Sequence, residues 1–223
     1  MWWLAHNNMV DTAPLHVEQG RIRGDRLHVE ATVEMRALLL EHGANDDLHS
    51  ATRRGDLEAV RRLLDSGRLV NAQDDEDGTT ALMVAVRQDK KDMAALLLER
   101  RANVDLQNRF GRSALMTAVC KRYGEKVMAE LLLERGANVD LQRNDGKSAL
   151  MVAVIYPSDR KGVAKLLLER GADVDLQDTE GMTALSLAIE RKKKDMTALL
   201  VEHGASADVQ DLPADGCAFC SSK

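Results

Sequence analysis

Cys217-Ala218-Phe219-Cys220 is the pair of thiols whose spacing comes nearest to a reactive motif. Two thiolates so placed supply half of a tetrahedral zinc site or cycle as a redox pair. A zinc site needs a second pair of ligands at similar spacing, and the sequence has none. Phe219 also stands where other segments open a helix with leucine, so no metal is expected. The histidines are His6, His16, His28, His42, His49 and His203. None combines with a nucleophile and an orienting group that the periodicity of the chain leaves unexplained, so neither catalysis nor a cofactor is expected. The closing Cys-Ser-Ser-Lys lacks the aliphatic pair of a prenylation box, and the adhesion tripeptide Arg23-Gly24-Asp25 follows no secretory signal.

Charge offers a second kind of chemistry. Basic groups stand at 53–55, 87–91, 121–126 and 190–194. Either they sit at the carboxyl ends of helices, where cations are favourable, or they form a basic edge that meets an acidic partner. A net charge of −5 speaks against broad phosphate neutralisation, so no nucleic acid is expected as a partner. The composition is 44% hydrophobic and 30% charged with three prolines, which is material for a packed core. The three cysteines do not make a disulfide framework and fit a reducing compartment. The opening MWWLAHNNMV has neither the basic region nor the apolar run of a signal or anchor, and no later run reaches membrane-spanning length. A soluble intracellular protein of the cytoplasm or nucleus is expected, without membrane contact.

The elements that position these residues come in copies. LLLERRANVDLQ at 96–107 returns as LLLERGANVDLQ at 131–142 and as LLLERGADVDLQ at 166–177, thirty-five residues on each time. Verbatim repetition at a fixed period means one supersecondary unit stacked on itself. Units begin near Thr79, Arg112, Lys147 and Met182, and a further copy from Asp46 precedes them. Thr80, Ser113, Ser148 and Thr183 stand just before the first apolar residue of a unit and are predicted N-caps. Gly67, Gly136, Gly171 and Gly204 stand just past the leucines, where a left-handed residue ends a helix, and Arg101 breaks that pattern. Met83, Met116 and Met151 recur at one position of the first helix and are predicted core. Loops such as VDLQNRFGRS turn at Gly111, Gly146 or Gly181, which predicts hairpin-like fingers. Each unit is helix, turn, helix and finger.

In these residues the chain resembles the ankyrin repeat family, in which about 33 residues form a β-turn and two helices opened by T-P-L-H-x-A. The resemblance extends over about 46–211 and implies an all-α helix-turn-helix solenoid with short hairpin-like loops. Four units replace the proline of that signature with alanine and its histidine with Met83, Met116, Met151 or Ser186; only Asp46-Asp47-Leu48-His49 keeps the histidine. The family's histidine hydrogen bond is therefore expected to be missing from most units, leaving the Thr or Ser cap alone.

TAPLH at 12–16 and VEMRALLLEHGAN at 33–45 resemble the helices of one more unit. The expected organisation is a degenerate repeat with an irregular segment over 1–45 and an array of about five repeats over 46–211. Residues 212–223 are either a truncated repeat start or a disordered tail. Leu199, Leu200 and Val201 are as apolar as the interior leucines, so the last full unit is expected to leave an apolar face and to support weak self-association.

The resemblance implies a non-catalytic scaffold that binds a protein partner on a concave face of finger tips and first helices. That face would take Glu76, Asp77, Arg109, Phe110, Arg112, Asp145, Lys147 and Glu180 from fingers. Helix positions add Arg54, Arg87, Lys121, Tyr123, Ile155, Tyr156 and Arg191. Aromatic and arginine side chains are the usual anchors of such contacts. Two alternatives stay open: a regulatory or inhibitory subunit of an enzyme or transcription factor, and a structural fragment of a longer ankyrin protein.

Overall fold

The computed structural model describes residues 47–120, 125–156 and 160–206. Contacts divide the chain between 1–46 and 47–223, and every described residue belongs to the second unit. The segments 1–45 and 212–223, with Cys217 and Cys220, lie outside the described residues.

Ten helices are present among the described residues: α1 Leu48–Arg54, α2 Leu57–Asp65, α3 Ala81–Arg87, α4 Lys91–Glu99, α5 Ala114–Val119, α6 Glu125–Glu134, α7 Ala149–Ile155, α8 Lys161–Glu169, α9 Ala184–Glu190 and α10 Lys194–Glu202. Each odd-numbered helix packs on the even one that follows, and the first helices α1, α3, α5, α7 and α9 pack in a continuous row. Helices of six to ten residues are too short to persist alone in water, so their stability comes from this stacking. The first helices are buried almost throughout: Ala81 to Val86, Ala114 to Met116 and Ala149 to Val154 all lie in the core, with Met83, Met116 and Met151 at its centre. The second helices bury a leucine pair per unit, such as Leu96 and Leu97 or Leu166 and Leu167. At the last described unit Leu199 and Leu200 are buried, but Val201 is 52% exposed. The equivalent Leu98 and Leu133 are half-buried and Leu168 is buried.

The predicted caps form. Thr80, Ser113, Ser148 and Thr183 each accept a hydrogen bond from the backbone N–H three residues on, and Asp47 does the same for α1. One expectation is corrected at α9, where the Ser186 hydroxyl accepts from the Thr183 N–H at 2.7 Å, so a reciprocal capping box replaces the single cap there. The retained His49 is buried and its Nε2 bonds to the Thr79 carbonyl of the next unit at 2.8 Å.

Two of the basic groups act across units, through Lys90 and Lys193, and Arg160, outside those groups, does the same. Lys90, Arg160 and Lys193 stand at the N-cap positions of α4, α8 and α10, where no side-chain cap is made and a cation opposes the helix dipole. Each reaches back to the carboxyl end of the first helix of the preceding unit. Lys90 Nζ donates to Thr52 O at 3.1 Å and Arg53 O at 2.8 Å, Arg160 Nη2 to Cys120 O at 3.3 Å, and Lys193 Nζ to Tyr156 O. Thr52 O also accepts the Gly55 N–H at 3.0 Å; in each case the cation sits against the negative end of the helix dipole.

Arg101 takes the glycine position with φ of 63° and makes the bonds its glycine counterparts make. Its N–H donates to Leu98 O at 3.0 Å and Ala102 N–H to Leu97 O at 2.9 Å, matching Gly136 and Ala137 on Leu133 and Leu132. An exposed side chain in this region costs about 1 kcal/mol, so Arg101→Gly should raise the denaturant midpoint by that equivalent. Lys90→Met keeps the stem and removes the charge; it should destabilise by about 1 kcal/mol, with the exposed Lys91→Met as a neutral control in the same urea titration.

Candidate functional site

The fingers are closed and joined by the glutamine that ends VNAQ at 70–73 and VDLQ at 104–107 and 139–142. The side-chain amides of Gln73, Gln107 and Gln142 each donate twice. Gln73 bonds to Gly78 O at 2.8 Å and to Gln107 O of the next unit at 2.9 Å. Gln107 bonds to Gly111 O at 2.7 Å and Gln142 O at 2.8 Å, and Gln142 to Gly146 O at 2.5 Å and Gln177 O at 2.7 Å. A parallel row of acceptors precedes them: Asn71, Asp105, Asp140 and Asp175 take the backbone N–H of Asn103, Asn138, Asp173 and Ser206 at 2.7 to 3.0 Å. The tips touch as well, through Arg109 N–H on Asp77 O at 2.8 Å and Thr179 N–H on Asp145 O at 3.2 Å. At Gly111 a Cβ would come within 2.6 Å of the Asn144 nitrogen at a φ of 73°, so only glycine lets the fingers approach this closely.

This row carries a side of charged and aromatic groups. Phe110 is 58% exposed at its finger tip, with the Arg112 guanidinium 6.0 Å from the ring centroid. Arg109 is committed to the neighbouring finger, donating to Glu76 O at 2.8 Å and Asp75 O at 2.7 Å. Glu76 and Arg87 are exposed, and Asp77 is half-buried.

Lys147, Ile155, Tyr156, Glu180 and Arg191 are brought together around one depression of about 520 Å³. Arg143, Val152, Asp178, Met182, Leu187 and Glu190 complete it, and sequence reasoning missed all six. Arg54 lies instead at a separate depression beside Lys90 and Lys91. Lys121 and Tyr123 fall outside the described residues.

Arg143 carried a signal. The residue after the repeated glutamine is Asp74, Asn108, Arg143 and Asp178 in successive fingers. Asp74, Asn108 and Asp178 fold their fingers by accepting two backbone N–H groups each. Arginine cannot accept. Asp145 instead takes the Lys147 N–H at 3.3 Å and pairs with the Arg143 guanidinium. The Arg143 bond holds the Asp145 carboxyl far below the usual carboxylate range, against the opposing effect of burial. Lys147 Nζ lies 3.0 Å from Asp178 Oδ2 and 3.5 Å from Asp145 Oδ2, and its bond to Asp178 raises the ammonium above its ordinary value. Burial alone would raise Asp178, but the N–H of Met182, the Lys147 ammonium and the N–H of Glu180 outweigh it and lower the carboxyl.

Tyr156 is half-buried against the core, with the Arg160 guanidinium 4.9 Å from its ring centroid. Its hydrogen bond with the Cys120 side chain, and then burial, push the phenol up. Tyr156 is therefore both a wall of the depression and part of the packing beneath it.

Helix pairs joined by cross-tied fingers, at this period, match ankyrin repeats (3 copies) over residues 33–108, 100–178 and 128–211. The chain belongs to the ankyrin repeat family. It is similar to serine/threonine-protein kinase 12 of Arabidopsis thaliana, 43% identical over 65 residues that make up 29% of this chain and 14% of the kinase. It is also similar to a putative ankyrin repeat protein of fowlpox virus (strain NVSL), 35% identical over 85 residues, 34% of this chain and 21% of that protein. The chain thus spans less than a quarter of the length of either relative. Ankyrin repeats are generally non-catalytic protein-interaction modules, and the likeness to the kinase is a partial one that covers the repeats. No helix among the described residues is long and apolar enough to cross a membrane.

The lowered Asp178 sets a sign for acid stability. A carboxyl depressed in the fold contributes above its unfolded value near 3.9, and that contribution is lost as pH falls through the folded value. Asp178→Asn should cost about 1 kcal/mol at pH 7 in urea titrations, and the gap to the parent chain should narrow as the pH is taken from about 4 downwards.

Proposed function

We infer that this ankyrin array is a non-catalytic scaffold that grips a protein partner along its fingers and first helices. The observation that carries this reading is Phe110, a large ring 58% exposed on a finger whose backbone is tied to its neighbours on both sides. An exposed aromatic on a pre-ordered backbone offers contact area at little cost in ordering entropy, which is how binding hot spots are built. Arg112 beside it, Glu180 and Arg191 extend the contact. Arg109, Asp145 and Lys147 shape the surface from within through bonds already made. Val201, exposed where its counterparts are covered, supports weak self-association as a secondary property, which sedimentation at high concentration reads directly. The three cysteines fit work in the reducing interior of the cell, in cytoplasm or nucleus.

Affinity capture from a cell extract, followed by calorimetry with the captured protein, tests the scaffold reading. Phe110→Ala should weaken binding by about tenfold while leaving the thermal transition unchanged, since the ring fills no core slot. Equal affinity in parent and variant would remove the finger side as the binding surface.

A further inference from the structure

We propose that the depression between the fingers at 143–147 and 178–182 is a subsite for an arginine side chain carried on an extended, otherwise apolar segment of a protein partner. The proposal rests on the finger side being the partner surface and names what one part of it recognises. The cations at the depression are already engaged: Arg143 and Lys147 by Asp145 and Asp178, and Arg191 through its Nη1 to Ile155 O at 3.4 Å. Glu180 and Glu190 are exposed at the same depression, and neither forms an ion pair among the described residues. A carbonyl does not neutralise Arg191, so three cations stand against the four carboxylates of Asp145, Asp178, Glu180 and Glu190, and the depression with Asp145 behind it keeps one net negative charge. The same lining has an apolar part, with Val152 and Leu187 buried and Met182 half-buried.

A space of about 520 Å³ accepts one long side chain and part of the backbone that bears it. An arginine suits both halves. Its methylene stem lies on apolar surface while the planar guanidinium reaches carboxylates with several fixed donors, which a lysine ammonium does not offer. An acidic segment gains little, because displacing Asp178 from Lys147 would strand a carboxylate 1% exposed at its side chain.

A displayed peptide library panned over the full chain tests the assignment, with the enriched sequences synthesised and measured by calorimetry. The enriched peptides should share an arginine beside apolar residues. The double variant Glu180→Gln, Glu190→Gln should weaken the best of them by about tenfold, and replacing the peptide arginine with alanine should do the same. Both glutamates are exposed, so the amide variant keeps the fold. No enrichment, an acidic or uncharged consensus, or affinity unmoved by the double variant overturns the subsite. Phe110→Ala separates the two readings. Peptides weakened by Phe110→Ala and not by the glutamine pair keep the finger surface and remove the arginine subsite, whereas peptides indifferent to both remove both.

Discussion

Every finger depends on a bond made one period away. A loop that leaves a helix carries backbone N–H and C=O groups with no ladder to join, and leaving them unpaired beneath a neighbour is costly. Here the amide of Gln73, Gln107 or Gln142 closes its own finger with one N–H and fixes the next with the other. The donor, its local acceptor and its distant acceptor must keep the same offset in every unit. A change of register at one finger would break bonds on both sides. That constraint explains why the glutamine returns at each finger, in VNAQ at 70–73 as in the VDLQ copies, when side chains that only fill a core vary more freely at constant volume.

The turns between helices obey the same logic with charge in place of an amide. Lys90, Arg160 and Lys193 give up a favourable cap on their own helices and instead satisfy the end of the helix one unit earlier. A short first helix leaves most of its carbonyls near an end, so an external donor matters more here than on a long helix. The array is thus stitched on both of its edges, fingers at one and turns at the other, with the apolar row of first helices between them. Charged residues that look like solvated surface in the sequence are part of that stitching.

What was legible in the sequence follows the range of each interaction. The caps at Thr80, Ser113, Ser148 and Thr183 act within three residues and were readable, as were the methionine core positions and the left-handed place of Arg101. The reciprocal bond of Ser186 is equally local, but serine stands there in place of the Glu or Gln that marks a capping box in a sequence. The basic groups were left between helix ends and a partner edge, because the helix end they serve lies 37 or more residues back. The depression stayed hidden for the same reason. Lys147 and Asp178 meet only once successive fingers are laid side by side, and the apolar part of the lining uses residues that look like ordinary core in a linear pattern.

In an array held this way, positions divide by whether the stack needs them. Cap, glutamine, acidic acceptor and tip glycine are fixed by geometry, so a departure at one of them demands a compensating change nearby. Arg143 is such a departure. It abandons the acceptor of two N–H groups present at Asp74, Asn108 and Asp178, and Asp145 accepts one of the two while neutralising the guanidinium. Stability alone gives no reason for the exchange, since an aspartate at 143 would have closed the finger directly. What the exchange does alter is the wall of the depression. It draws Asp145 and Lys147 into a closed set of ion pairs and leaves Glu180 and Glu190 as the carboxylates without one among the described residues. A substitution that costs a local bond and redistributes charge at one depression is best understood through what that depression holds.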